Sequence, residues 1–216
     1  IDGKDDAAAN YTGWETATGK LAISGTGTIV LNRANDVQEV IEDNEYDSTE
    51  DNDVDVTFGD RALSAKSWNS FVLPFTVSVA ELSYKFGYAI VNRLNTTTST
   101  GSEVHFSLEM DEIPANEPFL MKTASAQNTS AVTFEDVQIV KPDSWTCTVG
   151  EEGNPQFVGI YERTEISNSL WSFPSNAADG ANWVGGATGV YLNPLAAYLV
   201  KVESNARIFV EDLDNN

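Results

Sequence analysis

Trp171 and Trp183 flank the short polar stretch PSNAADGAN, and Tyr191 follows close behind. That grouping has the parts of a sugar-stacking platform. An aromatic face packs on the apolar CH face of a pyranose, and Asn176, Asp179 and Asn182 are placed to bond its hydroxyls. The same tryptophans suit a second role, as plugs at the end of a β-sandwich, since tryptophan is highly buried on average. We take the plug as the first reading and keep the sugar platform beside it. Trp14, in NYTGWETATG, is a weaker candidate of the same sort.

Carboxylates offer other chemistry. Asp51, Asp53 and Asp55 alternate like the opening of a calcium loop, but the sixth position is Val56 instead of glycine and the twelfth is Ala62 instead of glutamate. A Ca2+ site of clustered carboxylates outside that pattern stays open; the alternative is a solvated acidic loop with no cofactor at all. Glu109, Asp111 and Glu112 cluster in SLEMDEIP, just after an expected strand end. A glycoside hydrolase needs only two carboxylates at a suitable separation, so that reading is also kept.

Nucleophilic chemistry is poorly provided for. His105 is the one histidine, so sites built on two or three imidazoles are excluded. In EVHFSLEM, strand alternation puts Val104, Phe106 and Leu108 on one face, and His105 with Ser107 on the other. The chain has no GxSxG elbow, no P-loop and no dinucleotide-binding glycine motif. Cys147, the single cysteine, alternates with threonines in WTCTVG and has no basic neighbour, so it reads as a small buried apolar side chain. Asp47-Ser48-Thr49 resembles the acceptor pattern for O-glycosylation of exported Bacteroidetes proteins, with Ser48 as the attachment point.

These residues sit on a chain of 216, enough to bury about 70% of its unfolded surface without staples. The 33 acidic residues outnumber 12 basic ones, for a net charge of −21. Such a surface repels nucleic acid and anionic lipid at long range, so nucleic acid is not an expected partner. No apolar run reaches the length of a membrane-spanning helix. The opening IDGKDD reads as the start of a trimmed or mature chain, from which any export signal or lipid anchor would already be gone.

Glycine, asparagine and aspartate punctuate short alternating runs, the pattern of an all-β protein. The expected fold is a largely antiparallel β-sandwich-like domain with one or two short helices. One helix is expected over residues 79–86, where Ser78 and Glu81 form a capping box and Gly87 supplies the stop. A second box, Asp36 to Glu39, opens a helix carrying Val37, Val40 and Ile41. Residues 42–55 hold eight carboxylates and no base, and are expected to be a solvated loop. Residues 1–50 are expected to be a β-hairpin region packed on, or extending, a main domain of residues 51–216, the whole being one structural unit. VTFGDRALSAKSW (56–68) and VTFEDVQIVKPDSW (132–145) echo one another, which two strand-turn-strand units of like design would produce.

Five segments read, in order, VTFGDRALSAKSWNSFVLPFTVSVAEL, FGYAIV, IPANEPFLMK, FVGIYER and LNPLAAYLVKVESNARIFVED. In this the chain from about residue 54 to its end resembles a β-rich module of exported surface proteins of Bacteroidetes gut bacteria, of the cell-adhesion type. The resemblance carries no catalytic residues. It implies an exported protein at the outer-membrane surface or outside the cell, non-catalytic, meeting a surface glycan or protein. The shared segments read physically as packing, with Trp68, Phe71, Leu73 and Phe75 inside and Pro74 closing the strand. Three other functions stand beside adhesion: a carbohydrate-binding module using the aromatic loop, a fimbria-like structural subunit, and the glycoside hydrolase.

Overall fold

Residues 68–75, WNSFVLPF, are buried without a break. Only Trp68–Phe71 of this run is strand, at the end of a five-stranded sheet, and the chain continues from it into the largest buried cluster through Val72, Leu73 and Phe75. The structure is a computed structural model. It describes residues 14–15, 20–21, 28–31, 37–48, 53–59, 61–166, 171–172, 183–203 and 205–213.

The strands that build the layers are β1 (Thr28–Leu31), β2 (Val54–Phe58), β3 (Trp68–Phe71), β4 (Ala89–Leu94), β5 (Glu103–Leu108) and β6 (Phe119–Thr123). They continue with β7 (Thr133–Val137), β8 (Thr146–Val149), β9 (Gln156–Ile160), β10 (Trp171–Ser172), β11 (Val184–Gly185), β12 (Ala196–Val200) and β13 (Arg207–Val210). Helix α1 is Val37–Asp43 and α2 is Val79–Lys85. The architecture is all-β and sandwich-like, with only short helices.

A central sheet has the order β13-β5-β4-β6-β3, a second sheet β8-β9-β12-β10-β11, and a smaller one β7-β2-β1. Among the described residues, pairing between these strands is antiparallel except for β1 with β2 and β13 with β5. The central sheet is packed on both sides. Phe71, Val91, Phe119 and Met121 face a large cluster with Ile29, Val56, Phe58, Phe134 and the buried residues of both helices. Ile90, Leu94, Phe106 and Leu120 face Phe157, Ala197 and Leu199 of the second sheet. The expected two-sheet sandwich therefore has a third layer, made of the small sheet and the two helices.

Where β3 ends, the chain ties the two large sheets together. Val72 leaves the ladder and donates its N–H to the carbonyl of Leu195 at 3.4 Å. The Ser70 hydroxyl accepts from the backbone N–H of Ala197 at 3.0 Å. The strand thus stops at Phe71, short of the Pro74 that the sequence suggested as its end.

The N-terminal part differs from the expected hairpin region in one respect. A short hairpin is present, pairing residues 14–15 with 20–21. But β1 runs parallel to β2, with α1 between them in the chain. Parallel neighbours need a crossover, and the long connection carrying α1 supplies it. Val37, Val40 and Ile41 go into the same cluster as Val54 and Phe75. The acidic segment is likewise not simply a solvated loop. Asn44 is buried and donates to the Val40 carbonyl at 2.8 Å, Tyr46 N–H bonds the Ile139 carbonyl at 2.7 Å, and Lys141 pairs with Glu42 at 2.8 Å. The missing base comes from elsewhere in the chain.

The two echoing segments are neighbours. Thr57 faces Thr133 across the β2–β7 pair, with their hydroxyls 2.9 Å apart. Among the described residues no helix is long and apolar enough to cross a membrane.

Candidate functional site

The tryptophan loop is only partly placed. β10 and β11 pair with Trp171 opposite Gly185 and Ser172 opposite Val184, so Trp183 stands one position beyond the last pair. Its indole stacks on Phe106, centroids 5.7 Å apart and planes 23° apart, and Phe106 meets Phe157 edge-on at 5.1 Å. Trp183 is thus half-buried against the second cluster, in the plugging role. Tyr191 sits in a different short pair, opposite Glu165. It is exposed, but the Arg163 guanidinium lies 3.9 Å over its ring and covers one face. Asn176, Asp179, Asn182 and Trp14's side chain lie outside the described residues, as does that of Trp171.

Of the calcium candidates, Asp51 lies outside the described residues. Asp53 precedes β2, and Asp55 is on its less buried face, where it accepts the Asp136 N–H at 3.2 Å. Asp136 has φ +52° at a bulge in β7. Among the described residues no three or more His, Cys, Asp or Glu side chains gather closely enough to hold a metal ion. Ser48 is exposed in a turn beside exposed Asp47, a position open to modification.

The carboxylates after β5 are engaged. Arg93 donates to Glu109 at 2.9 Å and to Glu117 through Nε at 3.0 Å, and its second nitrogen also meets Glu117. Burial works to raise the Glu109 pKa. Hydrogen bonds from the Asp111 N–H, Arg93 and the Met110 N–H outweigh it and hold the group below the usual carboxylate range. Burial likewise works against the Arg93 charge, and the two glutamates overcome it. The Asp111 carbonyl accepts the N–H of Val79 at 2.9 Å, and Glu112 pairs with Ser78. This group anchors the start of α2.

His105 lies on the face opposite Phe106, as alternation requires, and its ring stacks on Phe209 of the parallel neighbour strand at 4.8 Å and 13°. Cys147 is buried, its thiol 3.6 Å from the Ser144 carbonyl, and burial pushes its pKa up to about 11.

The structure brings together a different group, at one end of the central sheet. Val79, Leu82 and Phe86 turn α2 onto the core. Ser78 caps its start, accepting the Glu81 N–H at 3.1 Å. That apolar stripe leaves Tyr84 outward, 86% exposed. The helix stops as its glycine demands: Gly87 takes φ +64° and the Tyr88 N–H reaches back to the Ser83 carbonyl at 2.7 Å, a Schellman closure. Tyr88 then also adopts a left-handed backbone, φ +78°, with its side chain 50% exposed. A bulky side chain there is strained by about 1–3 kcal/mol.

Neighbouring bonds enforce the conformation. The Ser83 hydroxyl grips both the N–H and the carbonyl of Ala89, at 3.3 and 3.0 Å. The Tyr88 carbonyl accepts from Ala124 at 3.3 Å. On the other side of β6, Lys66, at φ +57°, donates its N–H to Thr123 at 2.8 Å. Lys66 and Tyr88 therefore flank Thr123–Ala124, two strand spacings or roughly 10 Å apart. Gln127 bonds the Ser125 hydroxyl at 3.0 Å and lies beside Gly87. Tyr84 on α2, with Tyr88, Lys66, Ser125 and Gln127 on the loops beside it, thus stands at one end of the central sheet.

In the sequence FGYAIV reads as packing, and neither tyrosine stands out by type. A signal was present: with Val79, Leu82 and Phe86 forming the inward stripe, Tyr84 has no place but outside. No protein-family model matches the chain, and neither does any curated protein or solved structure.

Proposed function

We propose that the chain is a non-catalytic, exported surface module that works by adhesion, meeting its partner at the Tyr84–Tyr88 rim. One observation carries this reading: an exposed tyrosine is locked in a strained left-handed conformation at the end of a sheet buried on both faces. A rigid scaffold presenting fixed side chains suits recognition. The residues suited to chemistry have other work. His105 stacks on Phe209, the Cys147 thiol is held protonated, and Glu109 is bound to Arg93. The resemblance to exported adhesion modules of gut bacteria points the same way.

The test is retention of fluorescently labelled protein on immobilised mucin, epithelial cells and bacterial cells. Wild type should remain after washing on at least one surface, and a Tyr84→Ala, Tyr88→Gly double variant should wash off. Wild type leaving every surface, or a double variant that stays, would end this reading.

A further inference from the structure

We infer that the outer edge of β13 is a contact surface for a second copy of this chain, the two strands pairing antiparallel about a twofold axis at Phe209. Among the described residues β13 ends the central sheet and pairs on one side only, with β5. The Arg207 N–H bonds the Ser102 carbonyl at 2.9 Å, and the Glu211 N–H bonds the Phe106 carbonyl at 3.0 Å. Backbone groups of successive strand residues point to opposite sides, so the N–H and C=O of Ile208 and Val210 face outward. Such an edge is a ready template for another strand. Other edges are guarded. At the far end of the same sheet Arg61 bonds the Ser70 carbonyl at 3.0 Å, and the Ser70 hydroxyl ties to Ala197. In the small sheet, β7 is interrupted by its bulge. β13 has no proline, no lysine and no break in its register.

The residues of β13 suit a copy of itself. Setting Ile208 opposite Val210 of the second copy, and Val210 opposite its Ile208, gives every outward N–H and C=O of these residues a partner. That register puts Phe209 against its own counterpart and Arg207 against Glu211 of the second copy, at both ends of the joint. Rings and opposite charges facing one another across a strand pair are favourable. Phe209 is 42% exposed. The Arg207 side chain is 72% exposed and has donors beyond those that meet Glu103, while Glu211 holds the Leu108 N–H through one oxygen. On the other face Ile208 and Val210, half-buried against the second cluster, continue that cluster across the axis. A joint of one short strand a side buries far less than the roughly 800 Å² per partner of a standard interface, and the net charge of −21 opposes it. The dimer is therefore of the weak, concentration-dependent class. It is independent of the Tyr84–Tyr88 contact.

Sedimentation equilibrium of the whole chain up to about 1 mM, in about 0.15 M salt to screen the net charge, tests this. The average mass should climb with concentration towards twice that of the monomer. Ile208→Pro removes an outward donor without touching the ladder to β5, and Arg207→Glu sets acid against acid at both ends of the joint. Each should weaken association about tenfold or more. Phe209→Cys reads the register. Facing residues of a non-hydrogen-bonded antiparallel pair stand about 4.5 Å apart at Cα, within disulfide reach. Under mild oxidant this variant should form a covalent dimer much faster than Tyr84→Cys, the native Cys147 being buried. Wild type that stays monomeric at the highest concentration overturns the inference. So does an Ile208→Pro or Arg207→Glu chain that associates as tightly as wild type, or equal cross-linking at positions 209 and 84. Where Ile208→Pro fails to fold, the two cross-linking rates decide alone.

Discussion

Gly159 and Val72 join the two large sheets with no space between them. A Cβ added to Gly159 would lie 2.7 Å from the Val72 Cβ, closer than two such carbons can approach. The contact sits where the chain from β3 passes over β9, so it sets how near the second sheet lies to the central one.

Gly159→Ala should therefore destabilise by about 1–3 kcal/mol through overpacking. Val72→Ala would keep the Cβ at 2.7 Å, whereas Val72→Gly removes it with both methyls, so the double variant carrying Val72→Gly should recover part of that loss. Urea midpoints of the two single variants and the double give the coupling. Strict additivity would show that the two residues do not compete for the same space.

The C-terminal strand is fastened by charge. Lys122 reaches both Asp212 oxygens, at 2.5 and 2.6 Å, with side chains only 6% and 14% exposed. Glu211 adds two bonds: its carbonyl accepts from Asn92 at 3.0 Å and its carboxylate from the Leu108 N–H at 3.0 Å. Asp212→Ala leaves a buried ammonium without this partner and should cost about 3–5 kcal/mol. Replacing the pair together, Lys122→Met with Asp212→Leu, should cost much less. Hydrogen exchange at residues 207–210 should accelerate in the single variant; unchanged exchange would mean that the strand is held by its backbone ladder alone.

Which parts of this could be read from the sequence follows from what periodicity reports. Alternation gave the inward set Val54, Val56 and Phe58, and the cap at Ser78 and stop at Gly87 fixed α2, because those signals are local. The unbroken run at 68–75 marked the core. Pairing partners are not local. Nothing in TIVL says that it runs parallel to VDVTF, or that Lys122 awaits an acid ninety positions on. The site suffered most. Tryptophans drew attention by type, yet Trp183 turns to Phe106. Tyr88 lies inside FGYAIV, a segment whose apolar neighbours suggest packing. Left-handed backbone at Lys66 and Tyr88 has no sequence mark, since neither is glycine or asparagine.

Alkaline pH should weaken the fold. Burial raises the Cys147 pKa to about 11 and holds the Tyr161 phenol, which donates to Asn116 at 2.8 Å, well above its usual value. The unfolded chain releases these protons near pH 8.5 and 10, whereas the folded one retains them. Stability from both groups is thus complete below about pH 8.5 and is lost as pH rises through the folded values. Urea midpoints should be level from pH 7 to 8.5 and fall by pH 10.5, and Cys147→Ala should delay the onset of the fall towards pH 10. A wild-type midpoint that stays level to pH 10.5 would contradict this.

The most direct measurement is retention of Tyr88→Gly relative to wild type on the surface that holds wild type best. Glycine holds φ +78° without strain, so the variant is expected to keep the fold and lose only the half-exposed ring. Retention should fall about tenfold or more with Tm held or raised. Equal retention of the two proteins would contradict the rim as the contact surface.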